Sequence, residues 1–293
     1  LVLEGYLAEN RTRGFSINRP LSDFVRSLKM LAIRNLEQSN REIVNTIANE
    51  IKRVRFELPE GLNGDYRFLP SGINGYRRLP PPPKSKKTLV LSPFISPSTL
   101  YDSVKNGVDN MIISKEESFD EISDQDYANL SNLAQFFTMD SATEITEDDQ
   151  EETCANFLFD RQRGLHAKLM VFEQGYKARL LTGSANATSA AFEGKNVELM
   201  VELTCKRASA GINALLGNET DRNTLCSLLR PYKRIEQKAD KENLLKKIEK
   251  ILDEARRRIS EAGAVIEVSA EKVDEYSMAI KIGEQNLKLP KGV

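Results

Sequence analysis

The chain holds few of the residues that carry most catalytic and ligand chemistry: one histidine, three cysteines and no tryptophan in 293 residues. Cys154, Cys205 and Cys226 are odd in number and have no CxxC spacing, which excludes a disulfide framework of the secreted kind. They are read as buried thiols in a reducing compartment. With a single His and no close Cys pair, zinc would need a site assembled from widely separated residues, so no metal and no cofactor is expected. No apolar run approaches the roughly 18 residues of a membrane span, and no signal-peptide pattern opens the chain, so a cytoplasmic location is expected. Charge of one sign is lacking too. The 42 basic and 43 acidic side chains nearly cancel, which excludes a general field attracting nucleic acid or anionic lipid; a polyanion must be held by a local patch. The first residue is Leu rather than Met, so the sequence is read as a segment of a longer polypeptide or a trimmed one.

What is present reads as globular, with 40% hydrophobic and 29% charged residues. Residues 21 to 54 carry Leu21, Phe24, Val25, Leu28 and Leu31, then Ile43, Val44, Ile47 and Ile51, at helical spacing with a break near "QSN". Glycines and the prolines Pro80 to Pro83 then impose an extended spacer, and a boundary is drawn at residue 84. Beyond it, the strand-like "TLVLSPFIS", "NMIISK" and "QFFTMD" alternate with the helical "STLYDSVKNGV" and "FDEISDQDYANLSNLA". The acidic "EITEDDQEE" reads as a solvated loop before "CANFLFD", and the strands "HAKLMVFE", "ARLLTGS" and "NVELMVELT" follow. Residues 208 to 230 look helical, "DKENLLKKIEKILDEARRRISEAG" is an amphipathic helix, and "AVIEVSAEKVDEYSMAIKI" alternates like a strand. The expected organisation is a helical and irregular segment over 1–84, an α/β catalytic domain over 85–207, and a helical segment ending in strands over 208–293.

The chemistry concentrates in "GLHAKLMVFEQGYKARLLTGSAN", which contains the lone histidine. A half-buried structural histidine is the commonplace alternative. If "HAK" lies on a strand, His166 and Lys168 point to the same face. A lysine there can neutralise a phosphate oxygen while the imidazole attacks phosphorus or passes a proton. Ser184, Asn186 and the backbone N–H groups of "GSAN" suit phosphoryl oxygens. Five such residues at about 5% each, over ~300 starts and ~10 spacings, arise by chance about once in 1,000 sequences. A nucleotide-binding P-loop is excluded, because Gly183 and Gly194 lack the GxxxxGK[ST] spacing.

"HAKLMVFE…TGSANATSAAFEGKNVELMVEL" resembles the HxK(x)4D, GSxN and NxE motifs of the phospholipase D superfamily, and "LVLSPFIS" resembles a strand that opens such domains in its nuclease branch. The likeness covers residues 88 to 204. It implies an α/β fold, a layered mixed sheet flanked by helices, with additional helical N- and C-terminal segments. By resemblance His166 is nucleophile or general acid, Lys168 and Asn186 bind phosphate, Ser184 supports the phosphate or the histidine, and Glu198 orients an imidazole. The family's Asp is here Glu173, which keeps the carboxylate and adds one methylene. The family uses two HxK motifs about a pseudo-twofold axis, and this chain supplies one. A homodimer sharing one active site is therefore expected, or an upstream segment carrying the second half-site.

The expected activity is metal-independent phosphodiester hydrolysis, as a DNA nuclease acting through a phosphohistidine in a bacterial restriction, anti-phage defence or repair system, with no membrane partner. Arg77, Arg78, Lys84, Lys86 and Lys87 flank the proline spacer and are candidates to track a nucleic-acid backbone, although charges beside linkers are usually solvating. Two alternatives stand beside this: a non-catalytic scaffold or nucleic-acid-docking subunit, and a lipid phosphatidyl-transfer enzyme.

Overall fold

The computed structural model describes residues 3–8, 14–33, 35–62, 64–139, 159–160, 164–218, 224–234, 251–252, 255, 265–272 and 275–281. They fall in two compact units, residues 1–233 and 234–293. In the second unit, strands β13 (Val265–Lys272) and β14 (Glu275–Lys281) pair antiparallel where the sequence alternates. Most of the amphipathic stretch at 240–263, all of the acidic run and nearly all of "CANFLFD" lie outside the described residues.

In the first unit, β1 (Glu4–Leu7) pairs with β2 (Val54–Glu57), and α1 (Arg19–Leu28) packs on α2 (Gln38–Ile51). The helical spacing over 21 to 54 resolves into these two helices. The break falls over residues 29–37, and "QSN" forms the first turn of α2 instead of the interruption. Ser22 Oγ donates to the Ala48 carbonyl at 2.5 Å, which lets a buried hydroxyl sit between the helices.

The centre is a mixed sheet of eight strands. It contains β3 (Gly64–Ser71), β4 (Lys87–Leu91), β5 (Asn110–Ile113), β6 (Ala134–Met139), β9 (Leu169–Gln174), β10 (Lys177–Gly183), β11 (Glu198–Lys206) and β12 (Leu229–Pro231), in the order β12-β6-β5-β4-β9-β10-β11-β3. A separate two-residue pair, β7 (Phe159–Asp160) with β8 (Gly164–Leu165), precedes β9. β4, β5 and β6 run parallel, while β9, β10, β11 and β3 form an antiparallel meander. The parallel connections carry α3 (Pro97–Val104), α4 (Glu116–Asp120) and α5 (Asp124–Ser131). "FDEISDQDYANLSNLA" is thus two helices, because Ser123 caps α5 by accepting from Asp126 N at 3.1 Å.

Both faces of the sheet are covered, so the central strands are apolar without alternation. Leu89, Val90 and Leu91 are all fully buried. Val90, Ile112, Phe136, Met170 and Met200 face α3 to α5 and α6 (Ser189–Phe192). Leu89, Leu91, Ile113, Val171, Leu180 and Leu203 face α7 (Arg207–Ala210) and α8 (Ile212–Leu216). Among the described residues of 208 to 230, the helical reading reduces to these short pieces, a 3-10 turn at Cys226–Leu228 and the edge strand β12. Both edge strands, β3 and β12, thus come from the flanks of the 85–207 segment. No described helix is long and apolar enough to cross a membrane.

Asn110 fixes the end of the sheet where β4 and β5 begin. Its Oδ1 accepts from Thr88 N at 2.9 Å, and its Nδ2 donates to the carbonyls of Val104 at 3.0 Å and Leu133 at 2.9 Å. The side chain is fully buried, so no water substitutes for it. Asn110→Ala is expected to destabilise the protein by about 2–4 kcal/mol, through three backbone groups left without partners. Denaturant unfolding checks this; a loss under about 0.5 kcal/mol would show that those groups find other partners.

Candidate active site

The carboxyl-terminal ends of β4, β5 and β10 and the amino-terminal ends of β9 and β11 meet at one edge of the sheet. There the ladders stop for identifiable reasons. Pro93 has no N–H with which to prolong β4. The last rungs of β9 are Leu91↔Leu169 and Thr182↔Leu169, and beyond them Thr182 Oγ1 donates to the Lys168 carbonyl at 3.0 Å. A side chain has replaced the ladder bond. "HAK" therefore precedes β9 instead of lying on it, and His166 and Lys168 are not placed by strand alternation. His166 is exposed and Lys168 half-buried, with Lys168 Nζ donating to the His166 carbonyl at 2.9 Å.

The GSxN turn is built on close backbone approach. A Cβ at Gly183 would lie 2.2 Å from the Leu199 carbonyl oxygen, so only glycine fits. Ser184 N then donates to that carbonyl at 3.1 Å, while Leu199 N donates to Ser184 Oγ at 3.0 Å. The Ser184 hydroxyl donates in turn to Glu198 Oε2. Glu198 is 8% exposed, and its Oε1 accepts from Asn196 Nδ2 at 3.4 Å. Burial holds the Lys168 pKa below its ordinary value; the Glu198 carboxylate pulls it up and the Lys115 ammonium pushes it down. Asn186 joins the group through Ser92. Its Oδ1 lies 3.5 Å from Ser92 Oγ, which accepts from Ala187 N at 3.0 Å and donates to the Phe94 carbonyl at 2.7 Å.

Lys168, Ser184, Asn186 and Glu198 are thus brought to one end of the sheet, where the His166 carbonyl accepts from the Lys168 ammonium and the His166 side chain is exposed. Glu173 is not among them. It lies five residues along β9 from Lys168, about 17 Å away by strand rise. There it is buried, and its Oε1 accepts from Ile212 N at 2.7 Å at the start of α8. The five basic candidates divide. Exposed Arg77 and Arg78 pass beside α6: a Cβ at Gly194 (φ +75°) would fall 1.5 Å from the Arg77 carbonyl oxygen, and Leu79 N donates to the Phe192 carbonyl at 3.2 Å. Lys86 and Lys87 lie at the Glu173 end, where Lys86 N donates to the Glu173 carbonyl at 2.8 Å, with exposed Lys84 two residues before.

Sequence reasoning missed Ser92, Lys115 and Asn196. Asn196 was within reach as the first member of the NxE motif, and Ser92 as the residue before the strand-ending Pro93. Lys115 carries no local signal, since only the parallel pairing of β4 with β5 brings it to this edge. Together the groups offer cations and hydroxyl and amide groups for a phosphoryl oxygen, with a carboxylate that fixes Ser184. Among the described residues no group of three or more His, Cys, Asp or Glu side chains is placed to hold a metal ion.

No protein-family model matches the chain, and no curated protein does. Among solved structures it is similar to Nuc from Salmonella typhimurium, a phospholipase D family member, at 18% identity over 59% of this chain and 100% of that one, with a TM-score of 0.35. It is also similar to yeast tyrosyl-DNA phosphodiesterase at 15% identity over 41% of this chain, with a TM-score of 0.27. The match spans 25% of the yeast enzyme's length.

The electrostatics of the edge give a signed prediction. Lys115→Met is expected to raise the Lys168 pKa by removing a like charge, and Glu198→Gln to lower it further by removing an opposite one. Titrating the ¹³C-dimethylated lysines by NMR reads both shifts. An unchanged Lys168 titration in Lys115→Met would mean that the two ammonium groups do not sense each other.

Proposed function

We propose that this chain is a metal-independent phosphodiesterase, a DNA nuclease that works through a phosphohistidine intermediate. The observation that carries the reading is the convergence of Lys168, Ser184, Asn186 and Glu198 at the end of the sheet where the segment carrying His166 enters β9. The His166 imidazole attacks phosphorus: a P–N bond forms, the P–O bond to the leaving oxygen breaks, and a second imidazole donates its proton to that oxygen. Water then attacks, the second imidazole takes its proton, and the P–N bond breaks. Lys168 and Asn186 hold the non-bridging oxygens, and Ser184, fixed by Glu198, supports them. Glu173 acts on this site from a distance, by fixing β9 against α8.

The second imidazole comes from a second copy of the chain about a twofold axis, or from an upstream segment. Residues 85–207 form the catalytic domain, flanked by 1–84 and 208–293. Arg77 and Arg78 continue the cationic surface toward the DNA backbone, whereas Lys84, Lys86 and Lys87 lie at the other end of the sheet and contact only a long substrate. DNA cleavage of this kind suits restriction, anti-phage defence or repair. The single histidine per chain favours a second reading, a non-catalytic scaffold that docks nucleic acid.

Activity assays separate the two. Cleavage of DNA is expected to survive EDTA and to fall at least about 1,000-fold in His166→Ala. Lys168→Ala should cost about 100-fold or more, and Lys206→Ala, at the far end of β11, far less. Loss of cleavage on chelation, restored by added metal, would sink the mechanism; a folded protein inactive on DNA but active on phospholipid vesicles would establish the lipid reading instead.

A shared site also predicts how activity scales in mixtures. When wild-type and His166→Ala chains exchange freely, only wild-type pairs remain active, so activity follows the square of the wild-type fraction, about one quarter at equal mixing. A linear dependence in exchanged samples would place the second histidine within the same polypeptide.

A further inference from the structure

An aromatic ring stands at the rim of the site without a part in the core. Phe94 directly follows Pro93 at the end of β4, and it is 54% exposed, unusual for a phenylalanine. Its backbone is pinned. The Phe94 carbonyl accepts from Ser92 Oγ at 2.7 Å, and the same hydroxyl accepts from Ala187 N and lies 3.5 Å from Asn186 Oδ1. The next residue, Ile95, forms a parallel bridge with Ala187. The backbone that carries the ring is therefore held in fixed relation to the GSxN turn. Lys115 completes the arrangement, with its ammonium 5.4 Å from the Phe94 ring centroid. Ser114, the residue before it, donates through Oγ to the Ser92 carbonyl at 2.7 Å, so both side chains ride on one hydrogen-bonded cluster.

We propose that Phe94 and Lys115 form a nucleobase subsite: the ring stacks on the base next to the scissile phosphodiester, and Lys115 holds the adjoining phosphate. This rests on the phosphodiesterase reading above and narrows its substrate to nucleic acid whose base beside the cut is unpaired. A base in a duplex has both faces occupied by neighbours and offers none to a protein ring, whereas a single strand offers a π-face at every residue. An acyl chain would favour a broader apolar surface than a single ring.

Binding is read by fluorescence anisotropy in the His166→Ala protein, with a short labelled oligo-dT strand and the same backbone made abasic as probes. The oligo-dT strand is expected to bind roughly tenfold or more tightly than the abasic one. Phe94→Ala should bring the two within about twofold and Phe94→Trp should restore the difference, while Lys115→Ala should weaken both strands alike. The half-exposed position of Phe94 keeps these variants clear of the folded core. Equal binding of the two strands, discrimination that persists in Phe94→Ala, or duplex DNA binding as tightly as oligo-dT would each overturn the subsite. Cleavage by the wild-type protein with no base discrimination removes the subsite and leaves the phosphodiesterase; base discrimination with no cleavage does the reverse.

Discussion

The site depends on one buried carboxylate. A charge taken out of water is tolerated only where hydrogen-bond donors and a counter-charge meet it, and Glu198 finds these in Ser184, Asn196 and the nearby Lys168 ammonium. Meeting that demand fixes several parts at once. It sets the Ser184 hydroxyl and draws the NxE loop against the GSxN turn. Gly183 makes it geometrically possible, since any side chain there would push β10 away from Leu199.

A second buried glutamate at the opposite end of the sheet shows how position decides the role. Glu173 offers the same carboxylate as Glu198, yet its bond is to a backbone N–H that opens a short helix, Ile212 N at 2.7 Å. A carboxylate at a helix start satisfies an orphan donor and meets the favourable end of the helix dipole. The motif thus spans the length of β9, with His166 and Lys168 just before one end and Glu173 tying the other end to α8. Aspartate at 173 would have to reach Ile212 with one methylene less, so the side chain's length belongs to the packing of α8.

Much of this was legible in the chain. Apolar runs marked β4 and β5 as strands, and the small-residue turn after "ARLLT" marked the place where β10 ends. The HxK and GSxN spacings put Lys168, Ser184 and Asn186 just outside the paired ends of β9 and β10, two antiparallel strands whose register follows from a short hairpin. What was not legible depends on pairings distant in sequence. Lys115 reaches the edge only through the parallel β4–β5 ladder, and the edge strands β3 and β12 are recruited from segments whose local pattern reads as irregular or helical. The clustered appearance of Arg77 to Lys87 dissolved because the proline spacer runs from one end of the sheet to the other. "HAK" fell outside β9 because Thr182, a side chain on another strand, takes the carbonyl that a ladder would have used.

The proposed mechanism turns on whether His166 becomes covalently linked to phosphorus. Wild-type protein mixed with a phosphodiester substrate, quenched in alkali and digested, should yield the His166 peptide carrying the substrate's phosphoryl portion, a phosphoramidate stable to base and labile to acid, detectable by mass spectrometry. The adduct should be absent from Lys168→Ala at the same quench time. Turnover of substrate with no adduct on His166, or with the adduct on another residue, would contradict the mechanism at its centre.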